Sequence, residues 1–175
     1  MVAGELRGRR LASPPRGAAV RPTSDRVREA LFSILGERVE AATVLDLFCG
    51  TGALAIEALS RGAARATLVD DEISLAQRNI DSLDLRERTR LVKSDALRHL
   101  RGERDRFDLI LCDPPYTLAD RLQGPLDTLI PPRLSEGGVL VLESAARSPL
   151  RLGLPLVTER RYGDTHIGIY GGEHG

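Results

Sequence analysis

"VLDLFCGTGALAIEALSRGA", residues 44–63, decides the fold. An apolar run holding one acid, Asp46, ends in two glycines, Gly50 and Gly52, and a stretch rich in alanine and leucine follows at once. Residues 43–48 read as a buried strand, and residues 53–61 as a helix closed by Gly62. The glycines permit a tight turn and a close backbone approach to a ligand. The helix start beyond them offers N–H groups with no partner inside the helix. Residues 50–55 fit the loose G-x-G-x-x-A form found where a helix end receives a pyrophosphate, a pattern shared by several nucleotide folds.

The same alternation runs outward. Strands are expected at 66–70, 89–95, 107–113 and 137–144, and helices at 73–83, from 96 to about 100, and at 119–130. That order predicts an α/β, Rossmann-like, mostly parallel sheet with helices on both faces. The tail "LVTERRYGDTHIGIYGG" has no room for a helix between two strand-like pieces, so it closes the sheet as a hairpin with one antiparallel strand. Upstream, "RPTSDRVREALFSIL" starts a helix that Thr23 or Ser24 can cap, with Val27, Leu31, Ile34 and Leu35 at helical spacing. Residues 1–22 form a basic arm or short hairpin, and residues 23–175 a single domain.

In such sheets ligands bind beyond the carboxyl ends of the strands. Asp46, Asp70, Asp95 and Asp113 all fall at or just past strand ends. Asp46 lies four residues before the first glycine, where it can shape the loop and receive an ammonium group but would repel a pyrophosphate. Asp70, about twenty residues past the glycines, stands where an acid takes ribose hydroxyls. Asp71 and Glu72 compete with it, or are solvated acids of a helix start. Asp95, with Ala96, either accepts from an adenine amino group or caps the next helix. Phe48, Gly50, Thr51 and Gly52 complete the expected cofactor loop. The set suits a nucleoside bearing an amino-acid tail, S-adenosylmethionine, with no metal. An NAD(P) oxidoreductase built on the glycine loop would leave Asp46 unexplained.

"LILCDPPYTL", residues 109–118, ends the fourth strand. Each proline pushes the residue before it to extended geometry, so Asp113 and Pro114 are held extended. The Asp113 carboxylate and the Pro114 carbonyl are acceptors, Pro115 stiffens the turn, and Tyr116 adds a flat ring. Two acceptors and a ring describe a clamp for a planar base with an exocyclic amino group. Hydrogen bonds to both N–H groups would favour pyramidal nitrogen and aim its lone pair at a methyl donor. Stacking on Tyr116 requires a base outside its duplex. Asp113 is also a candidate to relay the proton lost.

Composition narrows the surroundings. The chain has 175 residues with 25 basic and 25 acidic side chains, so it carries no overall bias toward nucleic acid. Residues 1–28 nevertheless hold seven arginines against Glu5 and Asp25. No apolar run approaches a membrane span and no signal-like segment opens the chain. The two cysteines, Cys49 and Cys112, lack metal-site spacing and read as reduced core thiols of a cytoplasmic protein.

"LRGRRLASPP", "RPTSDRVREALFSIL", "VLDLFCGTGALAIEALSRGA" and "DPPY", in this order, resemble the RsmD family, bacterial 16S rRNA (guanine-N2) methyltransferases that modify guanine 966. The resemblance covers nearly the whole chain, and the helix-start motif is its specific part. Cys49 stands where the family often has alanine. The resemblance implies a Rossmann-like class I methyltransferase sheet of seven strands, S-adenosylmethionine as donor, and as substrate 16S rRNA in the small ribosomal subunit or its assembly intermediate; a monomer is expected. It places Arg7, Arg9, Arg10, Arg21, Pro22, Thr23, Asp25, Arg26 and Arg28 on the rRNA side, where phosphate contacts position RNA without reading sequence. Single arginines there equally suit ion pairs on a helix face. A DNA adenine-N6 methyltransferase shares the amino-transfer chemistry, and an inactive RNA-binding assembly factor would keep the fold.

Overall fold

A computed structural model describes residues 1–14 and 24–171. The strands are β1 (Thr43–Leu47), β2 (Arg65–Asp70), β3 (Thr89–Lys93), β4 (Phe107–Cys112), β5 (Leu134–Ala145), β6 (Leu156–Tyr162) and β7 (Thr165–Gly171). The α-helices are α1 (Asp25–Leu35), α2 (Ala53–Ser60), α3 (Ser74–Ser82), α4 (Ala96–Gly102) and α5 (Ala119–Leu129). The seven strands form one sheet in the order β3-β2-β1-β4-β5-β7-β6. The order reverses between β1 and β4, and β7 runs antiparallel to both β5 and β6. This is the Rossmann-like class I methyltransferase fold that the sequence led us to expect.

The central strands β1, β2, β4 and β5 are buried on both faces, which is why they read as continuous apolar runs, whereas β3 and β6 at the sheet edges are partly or largely exposed. Alternation along each strand sends Val44, Leu68, Leu111 and Val141 into the core shared with α1, α2 and α3. Leu45, Val69, Cys112 and Leu142 go to the opposite core, shared with α4 and α5. Strand β5 starts earlier than its apolar run suggests, at Leu134, and its pairing with β4 shifts register between Phe107 and Leu109. Ser24 caps α1, its side chain accepting from the Val27 amide at 3.3 Å.

No strand forms among residues 1–14, so of the two forms expected, arm or short hairpin, the described part takes the arm. The reason lies in where its backbone groups go. The Val2 and Ala3 amides donate to the Glu57 carboxylate, each at 3.0 Å. The Leu6 amide donates to Ser60 Oγ at 3.0 Å and the Glu5 amide to the Ser60 carbonyl at 2.9 Å. Two side chains and one carbonyl of α2 thus satisfy what a partner strand would have satisfied. Farther along, Asn79 on α3 accepts from the Ala12 amide at 2.7 Å and donates to the Ala12 carbonyl at 3.2 Å.

Gly4 fixes the closeness of this docking. Its φ is +79°, and a Cβ there would lie 1.7 Å from the Ser60 carbonyl oxygen. The variant Gly4→Ala is therefore expected to lift the arm from α2. Trypsin cleavage after Arg7, Arg9 and Arg10 should accelerate about tenfold or more, because local opening of the arm no longer costs these bonds. An unchanged cleavage rate would contradict the docking.

Candidate active site

Parallel register collects the acids. Asp46 alternates with Leu45 and Leu47, Asp70 follows Val69, and Asp113 follows Cys112. Each therefore falls on the α1–α3 face of its own strand, and all three strands are neighbours. Asp70, Asp46 and Asp113 lie at or next to the carboxyl ends of β2, β1 and β4, beside the point where strand order reverses. Glu143, near the end of β5, shares that face and was not singled out from the sequence. The register Cys112↔Leu142 sets it beside Asp113.

The glycine loop is held from below. Asp46 is 1 % exposed and accepts from the Ala55 amide at 3.1 Å, so it satisfies a free donor at the start of α2. Asp70 accepts from the Gly50 amide at 2.8 Å and from the Glu72 amide at 3.2 Å. The Thr51 carbonyl accepts from Asn79 Nδ2 at 2.9 Å, another link that the sequence did not disclose. Phe48 takes φ +60°, a sparsely populated region for a bulky residue, and strain of this kind concentrates at ligand sites. A Cβ on Gly50 would meet nothing within 4 Å, whereas one on Gly52 would come within 2.9 Å of Leu68. Gly52, at φ +79°, and Gly50, at φ +54°, both take the left-handed conformation that favours glycine, and Gly50 faces open space.

Burial disfavours the charged forms of Asp46 and Asp70. Burial, partly offset by the Ala55 hydrogen bond and reinforced by the Asp70 charge, pushes the Asp46 carboxyl up to about 7. Burial also raises Asp70, and its hydrogen bond with Asp71 adds to this. The buried thiol of Cys49 is pushed up by burial and by both acids. A bound ammonium would relieve this crowding of negative charge, and a pyrophosphate would worsen it.

Asp95 is exposed and accepts from the Arg98 amide at 2.9 Å, which makes it the cap of α4, with Ala96 buried behind it. Asp71 is exposed. At the tip of β4, the Asp113 amide reaches the Leu47 carbonyl at 3.5 Å. Pro114 is buried and Pro115 exposed. Tyr116 opens a short 3₁₀ turn, and its hydroxyl donates to Glu143 Oε1 at 3.2 Å and lies 3.2 Å from Thr165 Oγ1. The ring is therefore fixed at its far end by β5 and β7. The phenol is pushed up to about 12, first by burial and further by Glu143 and Asp113.

The basic residues divide. Arg7, Arg9, Arg10 and Arg26 are exposed, Arg9 donating to the Ser82 carbonyl at 3.0 Å. Arg28 is 6 % exposed, 2.5 Å from Asp25 and 3.6 Å from the buried Glu57, so the structure commits it to an internal ion pair. Arg21, Pro22 and Thr23 lie outside the described residues. A cavity of about 420 Å³ sits at the amino ends of β4 and β5, against Arg106, Leu134 and Glu136, away from these acids. Among the described residues no cluster suits a metal ion, and no helix is long and apolar enough to cross a membrane.

A family model described as "Conserved hypothetical protein 95" matches residues 1–171. The chain belongs to this family, and the RsmD resemblance read from the motifs holds. A Bacillus subtilis protein, "Putative rRNA methyltransferase YlbH", is 34 % identical over 188 residues, covering 97 % of each chain. The Escherichia coli "Ribosomal RNA small subunit methyltransferase D" is 39 % identical over 118 residues, 66 % of this chain and 59 % of that protein. The solved "Putative methyltransferase yhhF from Escherichia coli" superposes with TM-score 0.81 at 32 % identity, over 99 % of this chain and 97 % of the other.

The raised Asp46 carboxyl has a measurable consequence. Between about pH 4 and about pH 7 the unfolded chain has lost this proton while the folded one keeps it. Asp46 therefore makes stability fall as pH rises through that window, with no further change above it. Asp46→Asn keeps an acceptor for Ala55 and should flatten this slope in urea unfolding followed from pH 4 to 8. An identical slope in the variant would show that Asp46 is an ordinary carboxylate.

Proposed function

We propose that this chain is an rRNA methyltransferase that uses S-adenosylmethionine and modifies the exocyclic N2 of a guanine in 16S rRNA, of the guanine 966 type, in the small subunit or its assembly intermediate. The observation that carries the reading is the acceptor cluster of Asp113, Pro114, Glu143 and Tyr116 on the sheet face that also bears the glycine loop. The family and the names of its relatives support the rRNA substrate.

The residues fit the cofactor. Asp46, crowded by buried negative charge, suits an ammonium group. Asp70 suits ribose hydroxyls while holding the loop through Gly50, and Asp95 an adenine amino group while capping α4. When bound, S-adenosylmethionine supplies an electrophilic methyl group whose bond to sulfur breaks, the electron pair staying on sulfur, as the bond to the guanine nitrogen forms.

The chain's own task is to present that nitrogen. Asp113 and the Pro114 carbonyl accept its two N–H groups and draw its lone pair out of conjugation with the ring. Fixed acceptors of this kind need no reorganisation during reaction. Tyr116 stacks on the extruded base, and its tethered hydroxyl keeps the ring from turning. The nitrogen's surplus proton passes to Asp113 or to water. Arg7, Arg9, Arg10 and Arg26 give the exposed positive charge that holds phosphates around the site.

Incubating the protein with S-adenosylmethionine and small-subunit particles lacking the modification should yield N2-methylguanosine by nucleoside mass spectrometry. N6-methyladenosine, or no product, would contradict the reading. Asp113→Ala should bind S-adenosylhomocysteine within about threefold of wild type and lose about 10²–10³ in transfer, the scale of removing one preorganised group. Unchanged transfer would remove the role given to Asp113.

A further inference from the structure

The mechanism requires acceptors for the two N–H groups of the reacting nitrogen. It does not require Glu143, yet a carboxylate beside the site must be accommodated. Glu143 sits at the end of β5 with only 8 % of its surface exposed. The pairing Cys112↔Leu142 makes it the lateral neighbour of Asp113 on an adjacent parallel strand. Both point to the α1–α3 face, because Leu111 and Val141, two residues earlier, pack into that core. Tyr116 Oη, 3.2 Å from Glu143 Oε1, ties the carboxylate to the residue that takes the base. Thr165 Oγ1, also 3.2 Å from that hydroxyl, completes the brace from β7.

The edge of the site is thus lined by acceptors: two carboxylates side by side and a proline carbonyl. Among the described residues the Tyr116 hydroxyl is a donor at this edge, and it is turned onto Glu143. Purines differ in what they offer such an edge. Guanine presents N1–H and the N2 amino group as adjacent donors. Adenine presents its amino group beside N1 as a bare acceptor, and so does 2-aminopurine, which keeps the 2-amino group of guanine. Two neighbouring carboxylates match adjacent donors and repel a lone pair at N1. Each carboxylate oxygen has two lone-pair sites, so Glu143 can accept a further bond while holding Tyr116.

We propose that Glu143 is the specificity-determining residue of the site, accepting guanine N1–H while Asp113 accepts from N2. The assignment rests on the reading of the chain as a guanine-N2 methyltransferase and adds how the base is chosen. Tyr116 and Thr165 are positioning residues for it. A site built to bond an N–H discriminates strongly against an analogue lacking it, because a buried polar group is left facing the wrong partner.

The test uses small-subunit particles reconstituted with ligated 16S rRNA carrying guanine or 2-aminopurine at the target position. Wild-type kcat/KM should favour guanine at least about a hundredfold. Glu143→Gln places an amide that can donate to N1, and should narrow that ratio about tenfold or more while S-adenosylhomocysteine affinity holds. Tyr116→Phe keeps the ring but frees Glu143, and should narrow the ratio about threefold. Equal use of both particles by wild type overturns the proposal, whatever the variants do. So does a ratio unchanged in either variant. No transfer to the guanine particle removes the proposed function and this inference with it, whereas transfer with an unchanged ratio removes only the role of Glu143.

Discussion

Side-chain alternation in a parallel sheet is the constraint on which the site depends. The registers β2–β1, β1–β4 and β4–β5 carry Asp70, Asp46, Asp113 and Glu143 to one face at neighbouring strand tips. A slip of one residue in any strand would turn its acid to the opposite face and its apolar side chains out of their core. The buried aliphatic residues on both faces forbid that slip, so core packing and acid placement are the same decision. The reversal of strand order then opens the space between β1 and β4 that such acids can line.

Negative charge gathered in this way is costly without a cation, and the chain manages the cost locally. Asp46 and Asp70 spend themselves on amides of the glycine loop and of α2, which stiffens the loop while leaving the acids short of positive charge. On the arm side, the buried Glu57 takes the Val2 and Ala3 amides together with Arg61 Nε at 2.8 Å. Asn79 joins that arm to the Thr51 carbonyl, so arm, α3 and cofactor loop form one connected framework. The face that would receive RNA is thereby built onto the loop that would receive the donor.

Much of this was legible in the sequence, for physical reasons that differ by element. Strands buried on both sides announce themselves as apolar runs, and the tail betrayed its antiparallel strand because no helix fits between its two pieces. The acid at a strand end singled out Asp46, Asp70 and Asp113, and the same signal was present in "VLVLES" but was read only as a strand, so Glu143 was missed. The sequence left the arm open between an extended arm and a hairpin because its partners, the Glu57 and Ser60 side chains and the Ser60 carbonyl, are not revealed by any local pattern. For Arg28 the sequence left a phosphate contact and a helix-face ion pair open, and only the packing of α1 against α2 shows it beside Glu57. That Asp70 anchors the glycine loop depends on a backbone amide that the sequence does not position, whereas the cap that Asp95 gives α4 was one of its two readings.

The central claim is that buried carboxylates at the strand tips await a cationic donor. Calorimetry of S-adenosylhomocysteine binding at pH 7, in two buffers of different ionisation enthalpy, tests it most directly. With the Asp46 carboxyl raised toward neutrality, an arriving ammonium should expel protons from it, and the apparent heat should differ between buffers accordingly. Heats that agree in the two buffers, or binding of NAD with comparable affinity, would contradict the account.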